Sequence, residues 1–201
     1  MVTISATQVK DLREKTGAGM MDCKKALTEC DGDFDKATKY LREKGMADAA
    51  KRSGRTTKEG VVFSYIHPGN RIGVLVEINC ETDFVARTPA FQDFAKDIAM
   101  HVAASSPLYL QRDQVPESAL ANEREILANQ ARESGKPANV IDKIVDGRID
   151  KFYSQICLLE QPFIKDMNIT VEDYAKETMG KLGENIQIRR FVRFQLGEEL
   201  Q

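Results

Sequence analysis

The apolar period changes from helical to two between residues 61 and 78, and this stretch limits the fold more than any other. Val62, Ser64 and Ile66 alternate with Val61, Phe63 and Tyr65, and Pro68-Gly69-Asn70 supplies a turn. Ile72, Val74, Val76 and Ile78 then make one apolar face, opposed by Arg71, Gly73, Leu75 and Glu77. The pattern predicts an antiparallel hairpin. A lone hairpin is marginal in water and needs further partners. The best partner runs from Asn185 to Leu196, where Ile186, Ile188, Val192, Phe194 and Leu196 fall on one face with Arg190 as the exception. This C-terminal strand is expected to join the hairpin near residue 70, giving a small sheet of three.

Helices account for most of the rest. Ser5-Ala6-Thr7-Gln8 has capping-box spacing, with Ile4 and Val9 at the staple positions, Leu12 following and Gly17 as the stop. A second helix is expected from Met21 or Asp22 to about Cys30, followed by an Asp31-Gly32 turn. Asp33 caps a third, with Phe34, Ala37, Tyr40 and Leu41 on one face and Lys44-Gly45 at its end. Three short helices form a bundle with little interior for an active site, which suits a docking module. Residues 46–59 lack apolar periodicity and carry Lys51, Arg52, Arg55 and Lys58; they read as a helix tail running into a linker. Thr88-Pro89 starts a helix whose stripe is Phe91, Phe94, Ala95, Ile98 and Val102. Residues 117–134 and 137–156 read as two more, parted by Gly135-Lys136-Pro137. Gln161-Pro162-Phe163 reads as a loop, and Thr170 caps a last helix to about Leu182, stopped by Gly183. The expected class is α+β: a helical domain over residues 1–45, a linker over 46–59, and a core over 60–201 in which a three-stranded antiparallel sheet packs with helices.

Hydrophobic residues make up 42% of the 201 and charged residues 30%, so the chain should fold and stay soluble. A formal net charge of -2 argues against a general nucleic-acid binder, which needs surplus Lys and Arg to neutralise phosphates. Cys23, Cys30, Cys80 and Cys157 form no C-x-x-C pair, and His67 and His101 are the only histidines. No zinc framework results, and scattered cysteines suit a reducing compartment. MVTISATQVKDLREKTG has no basic segment leading into an apolar one, and no run of about 18 apolar residues follows anywhere. The expectation is a cytoplasmic protein with no membrane partner.

Catalytic constellations are hard to find. Thr16-Gly17-Ala18-Gly19-Met20-Met21 offers G-x-G without the third glycine or a Gly-Lys-Ser/Thr ending, and it follows a helix, so it reads as a tight inter-helix turn. Cys80 continues the alternation of its strand and reads as a packed thiol, although a thiol hydrolase using Cys80 is a reading to be tested. His101 sits within a helix and His67 precedes Pro68 in a turn. The carboxylates are spread over helix surfaces with no acid–base pair. The chain reads as a binding protein with no cofactor and no metal site.

One segment fits neither period. Glu81-Thr82-Asp83-Phe84-Val85 lies directly after the second strand and before the Thr88 cap, and Phe84 has no periodic place in either neighbour. It folds back as a core plug, or it projects as a rigid carboxylate-plus-aromatic tip held by a strand and a capped helix at low entropic cost.

Leu12-Arg13-Glu14-Lys15-Thr16-Gly17-Ala18-Gly19-Met20-Met21-Asp22-Cys23-Lys24-Lys25-Ala26-Leu27 closely resembles the N-terminal signature of the bacterial elongation factor Ts family. Glu81-Thr82-Asp83-Phe84-Val85-Ala86 is similar to its second signature. Ser134-Gly135-Lys136-Pro137, Glu160-Gln161-Pro162-Phe163 and Arg193-Phe194-Gln195-Leu196-Gly197-Glu198 match in order across nearly the whole chain. The resemblance implies that the first module is a ubiquitin-associated-like three-helix domain docking on the GTPase elongation factor Tu, with Lys10, Arg13, Met20, Met21 and Lys24 as contacts. It implies that Thr82, Asp83, Phe84 and Val85 disturb the partner's Mg2+ site, that GDP release is accelerated, and that the chain does no bond chemistry itself. Longer members carry a second sheet-bearing half. This chain has room for about one sheet, and two copies are expected to pair through it as a homodimer. The alternative is a general helical docking module without exchange activity.

Overall fold

The structure, a computed structural model, describes residues 4–199. In chain order the elements are α1 (Ala6–Thr16), α2 (Met20–Glu29), α3 (Phe34–Arg52), β1 (Glu59–Ile66), β2 (Ile72–Cys80), α4 (Asp83–Ala86), α5 (Pro89–Ser105) and α6 (Glu117–Glu133). They continue as α7 (Ala138–Ile156), β3 (Pro162–Phe163), β4 (Asp166–Thr170), α8 (Val171–Leu182) and β5 (Gln187–Gln195). The architecture is α+β, with N-terminal helices followed by a three-stranded antiparallel sheet and further helices. Two compact units are formed. The first gathers the residues through Val62 with Glu77–Ala95 and Asp173–Ile188, and the second gathers Phe63–Val76, Lys96–Glu172 and the residues from Arg189 onward.

In the first unit the capping box forms as its spacing requires. Ser5 Oγ accepts from the Gln8 N–H at 3.2 Å, and Gln8 Oε1 accepts from the Ser5 N–H at 2.9 Å. Gly17 takes a left-handed conformation and closes α1 onto the Arg13 carbonyl. Val9, Leu12, Cys23, Ala26, Leu27, Ala37 and Leu41 make the apolar centre of α1–α3. The third helix does not stop at Lys44-Gly45 but runs to Arg52. Met46-Ala47-Asp48-Ala49-Ala50-Lys51-Arg52 is rich in helix formers, and Ala49 is buried. α8 passes so close that a Cβ on Gly180 would stand 3.2 Å from the Gly45 Cα.

The sheet has the order β1-β2-β5. His67 to Asn70 form the turn, with the Asn70 N–H on the His67 carbonyl and Gly69 at the positive φ that a type II turn requires at its third position. β2 buries Val74, Val76, Ile78 and Cys80, the face its alternation marks. The Leu196 N–H reaches the Arg71 carbonyl, so the C-terminal strand does return to the hairpin near residue 70. Its face is not the expected one throughout. Ile186 and Ile188 are buried, Arg189 and Arg190 are both exposed, and from there Phe191 and Arg193 are the sheltered residues. Val192, Phe194 and Leu196 therefore face outward. Arg190 marks the place where the alternation slips by one, as it does at a β-bulge.

In the second unit α6 and α7 pair around Leu127, Ala131, Ile141, Val145 and Ile149. The connection is a glycine-closed helix end, with Gly135 at positive φ and the Lys136 N–H on the Ala131 carbonyl. Gln161-Pro162-Phe163 is not a loop. Gln161 is buried with its amide against His101, and Pro162 and Phe163 pair with β4. A two-residue strand carries too short an alternation to be read as one.

Candidate partner-binding site

β2 ends at Cys80, and the chain then makes a single helical turn, α4, before α5. Thr82 caps that turn, its Oγ1 accepting from the Val85 N–H at 3.4 Å. Asp83 in the first position pairs with Arg87 at 2.9 Å. The turn is stitched to the start of α5. Thr88 Oγ1 donates to the Val85 carbonyl at 2.8 Å, and Gln92 Nε2 donates to the Ala86 carbonyl at 2.7 Å. Ala86 is the buried residue of the turn, and Val85 is half-buried. Phe84 is 80% exposed. The ring is therefore not a core plug. Among the described residues only about a fifth of its surface is covered, although leaving a phenyl in water is costly by roughly the 1.5–3 kcal/mol of its full burial.

The base of the turn is gripped from the connection between α8 and β5. Glu184 Oε2 accepts from the N–H groups of Glu81 and Thr82, both at 3.1 Å, and Glu184 Oε1 accepts from the Thr82 hydroxyl at 2.6 Å. In return, Glu81 Oε1 accepts from the Asn185 N–H at 2.7 Å and from Arg55 at 3.4 Å. The Asn185 N–H and Arg55 together hold the Glu81 carboxyl below its ordinary range against the opposing effect of burial. Asn185 is fully buried, and its amide donates to the carbonyls of Ser53 and Arg55. Sequence reasoning places Glu81 in the segment without its bond to Asn185, and it misses Glu184 and Asn185 as parts of this site. The one available signal for the last two was their position, between the Gly183 stop of α8 and the strand that returns beside β2.

Cys80 lies under the same turn. It is buried, its thiol donates to the Thr82 carbonyl at 3.1 Å, and burial with the nearby Glu184 charge pushes it up to about 11. A thiol so held is a poor nucleophile near neutral pH.

The Elongation factor TS family model matches residues 4–198. The chain belongs to this family. It is accordingly a translation elongation factor. Among its relatives, the elongation factor Ts of Carboxydothermus hydrogenoformans is 61% identical over 197 residues, covering 98% of this chain and 91% of the relative. That of Geotalea daltonii is 58% identical over 200 residues, covering 100% and 93%. That of Moorella thermoacetica is 60% identical over 195 residues, covering 97% and 96%.

In this member of the elongation factor Ts family the remaining residues of interest sit on the first two helices. Lys10 and Arg13 lie one turn apart on α1 and are exposed, Lys10 pairing loosely with Glu14 at 3.7 Å. Met20 and Met21 open α2, and Lys24 follows one turn on. Met21 is 74% exposed. Gly19 caps α2 with no side-chain bond, so the glycine turn presents two thioethers at a helix start. The structure thus gathers Thr82–Val85 into one turn and sets the five helix residues on either side of Gly17-Ala18-Gly19. Among the described residues, the tip is bonded to Arg87, Thr88, Gln92 and Glu184. No group of three or more His, Cys, Asp or Glu side chains among the described residues is arranged to hold a metal ion, and no helix there is long and apolar enough to cross a membrane.

Proposed function

We propose that the chain is the guanine-nucleotide exchange factor of elongation factor Tu and accelerates GDP release by disturbing the partner's Mg2+ and phosphate site. The observation that carries this reading is Phe84, 80% exposed on a one-turn helix whose base is bonded from two directions. Mg2+ takes near-ideal octahedral geometry and bridges phosphate oxygens to few protein ligands. Shifting its surroundings by about an ångström weakens the hold on both metal and nucleotide. Thr82, Asp83, Phe84 and Val85 supply the wedge. Lys10, Arg13, Met20, Met21 and Lys24 dock the helical domain of residues 1–45 on the GTPase, and residues 46–59 connect it to the core. The chain itself makes and breaks no bonds. Linkage makes the effect mutual: a factor that loosens GDP is loosened by GDP to the same degree.

A cytoplasmic homodimer completes the reading. In the second unit, Ile66, Leu75, Val192 and Phe194 are exposed on the sheet and Leu196 just beyond its end, and the Ile66 side chain lies beside Gly73. Exposed apolar side chains on a sheet call for cover, and a second copy offers the same side chains.

The test is release of fluorescent GDP from a bacterial elongation factor Tu, followed by stopped flow as this protein is added in excess nucleotide. The release rate should rise with factor concentration to a plateau. A rate that stays at its spontaneous value while the two proteins bind would leave only a docking module.

A further inference from the structure

The four-residue α4 cannot aim Phe84 unaided. One isolated helical turn is below the length at which helix is stable in water. The Asp83–Arg87 pair and the Thr82 cap lie within the turn and travel with it. On the α5 side, Thr88 and Gln92 hold Val85 and Ala86, at the far end of the turn. The near end is held by Glu184, 103 residues along the chain from Glu81.

We propose that Glu184 is the positioning residue of the tip, fixing the direction in which Asp83 and Phe84 are presented to the partner. This rests on the tip being the part that opens the GTPase. A carboxylate suits the place because it only accepts, and three donors converge on it: two successive backbone N–H groups and the Thr82 hydroxyl. By accepting the hydroxyl's hydrogen bond, Glu184 leaves the Thr82 lone pairs for the Val85 N–H, so the same side chain anchors the turn and orients its cap. Glu184 is itself held. Gly183 at positive φ ends α8 before it, and Asn185 after it is locked by Glu81 and by the carbonyls of Ser53 and Arg55. The two acidic side chains thus clasp each other's backbone: Glu81 takes the N–H beside Glu184, and Glu184 takes the N–H of Glu81.

The experiment compares full-length Glu184→Ala, Glu184→Gln and Glu184→Asp by release of fluorescent GDP from elongation factor Tu over a range of factor concentrations. Glu184→Ala should lower the plateau rate by about tenfold while moving the half-saturating concentration by no more than about twofold. Glu184→Gln keeps an acceptor for the two N–H groups and can donate to Thr82, so its plateau should recover to within about threefold of the wild type. Amide exchange at Thr82 in the free protein should speed up in Glu184→Ala and not in Glu184→Gln. If Glu184→Ala does not fold, Glu184→Asp, one methylene short of the donors, should show the same plateau loss in weaker form. A wild-type plateau in the alanine variant, a loss confined to the half-saturating concentration, or equal losses in Ala and Gln would overturn the assignment. Phe84→Ala run alongside separates the two readings. If it slows release and Glu184→Ala does not, only the role of Glu184 falls; if it releases GDP at the wild-type rate, the tip is not the wedge.

Discussion

Replacing Phe84 by alanine removes a ring that the free protein hardly uses. About four-fifths of its surface lies in water. If the partner buries that share, the side chain supplies about 1.2–2.4 kcal/mol of the full 1.5–3 kcal/mol for a phenyl, all of it in the complex. Lost from the state in which the nucleotide site is open, this slows GDP release by roughly eight- to sixtyfold at saturating factor. The remaining fifth leaves at most about 0.6 kcal/mol to the protein's own fold. For a chain of this length that moves the melting temperature by no more than about 2 °C. The assays are stopped-flow release of fluorescent GDP and a thermal melt on the same preparation. Phe84→Leu, which keeps most of the apolar surface, should fall between the two. Release at the wild-type rate would refute the reasoning. So would a drop in melting temperature beyond about 5 °C, because it would mean that the ring holds its own domain together.

Gly60→Ala should abolish soluble expression or lower the melting temperature sharply. In β1 a Cβ at this positive φ would overlap the Ile78 carbonyl oxygen and come within 2.7 Å of the Asn79 Cα; retention of wild-type stability would contradict the close strand approach. His101 is buried, its Nδ1 accepts from the Ile164 N–H and its Nε2 donates to Gln161, and burial lowers its proton affinity below the ordinary 6.5. The unfolded chain therefore binds a proton there before the folded one does, and stability present above pH 6.5 should fall below it by up to about 1.4 kcal/mol per pH unit. Denaturant titrations should show this slope in the wild type and a flatter profile in His101→Asn. The Glu81 contribution is separable, since its carboxyl is held below 4.5 and its stabilisation is lost only at lower pH. Phe194→Asp, on the exposed sheet face, should convert the proposed dimer to monomer in sedimentation at micromolar concentration; a wild-type protein that is already monomeric there would remove the dimer.

What was legible in the sequence was local. The capping box at Ser5 and Gln8, the Pro-Gly-Asn turn and the β2 face need partners only a few residues away, so their signals survive in spacing alone. Gly45 shows where that stops. A glycine after a lysine at the end of a helical pattern reads as a terminator, yet here the helix runs on through it to Arg52, and the glycine that the close crossing restricts is Gly180, which no local window contains. The strand at the C-terminus is legible, but Arg190, which in the pattern reads as a flaw in one face, marks the change from one face to the other.

The tip divides along the same line. Phe84 drew notice because it broke two periods at once, and a large apolar residue that satisfies neither neighbour either fills a gap in its own core or has its complement outside the chain. Its 80% exposure removes the first choice. The residues that aim it obey the opposite rule. Glu81 and Glu184 look like ordinary surface acids in sequence, and only the return of β5 beside β2 brings each carboxylate onto the other's backbone. A ring exposed in water gains nothing for the free fold, so the stiffness of its mount must come from bonds made elsewhere. Here those bonds join chain segments a hundred residues apart.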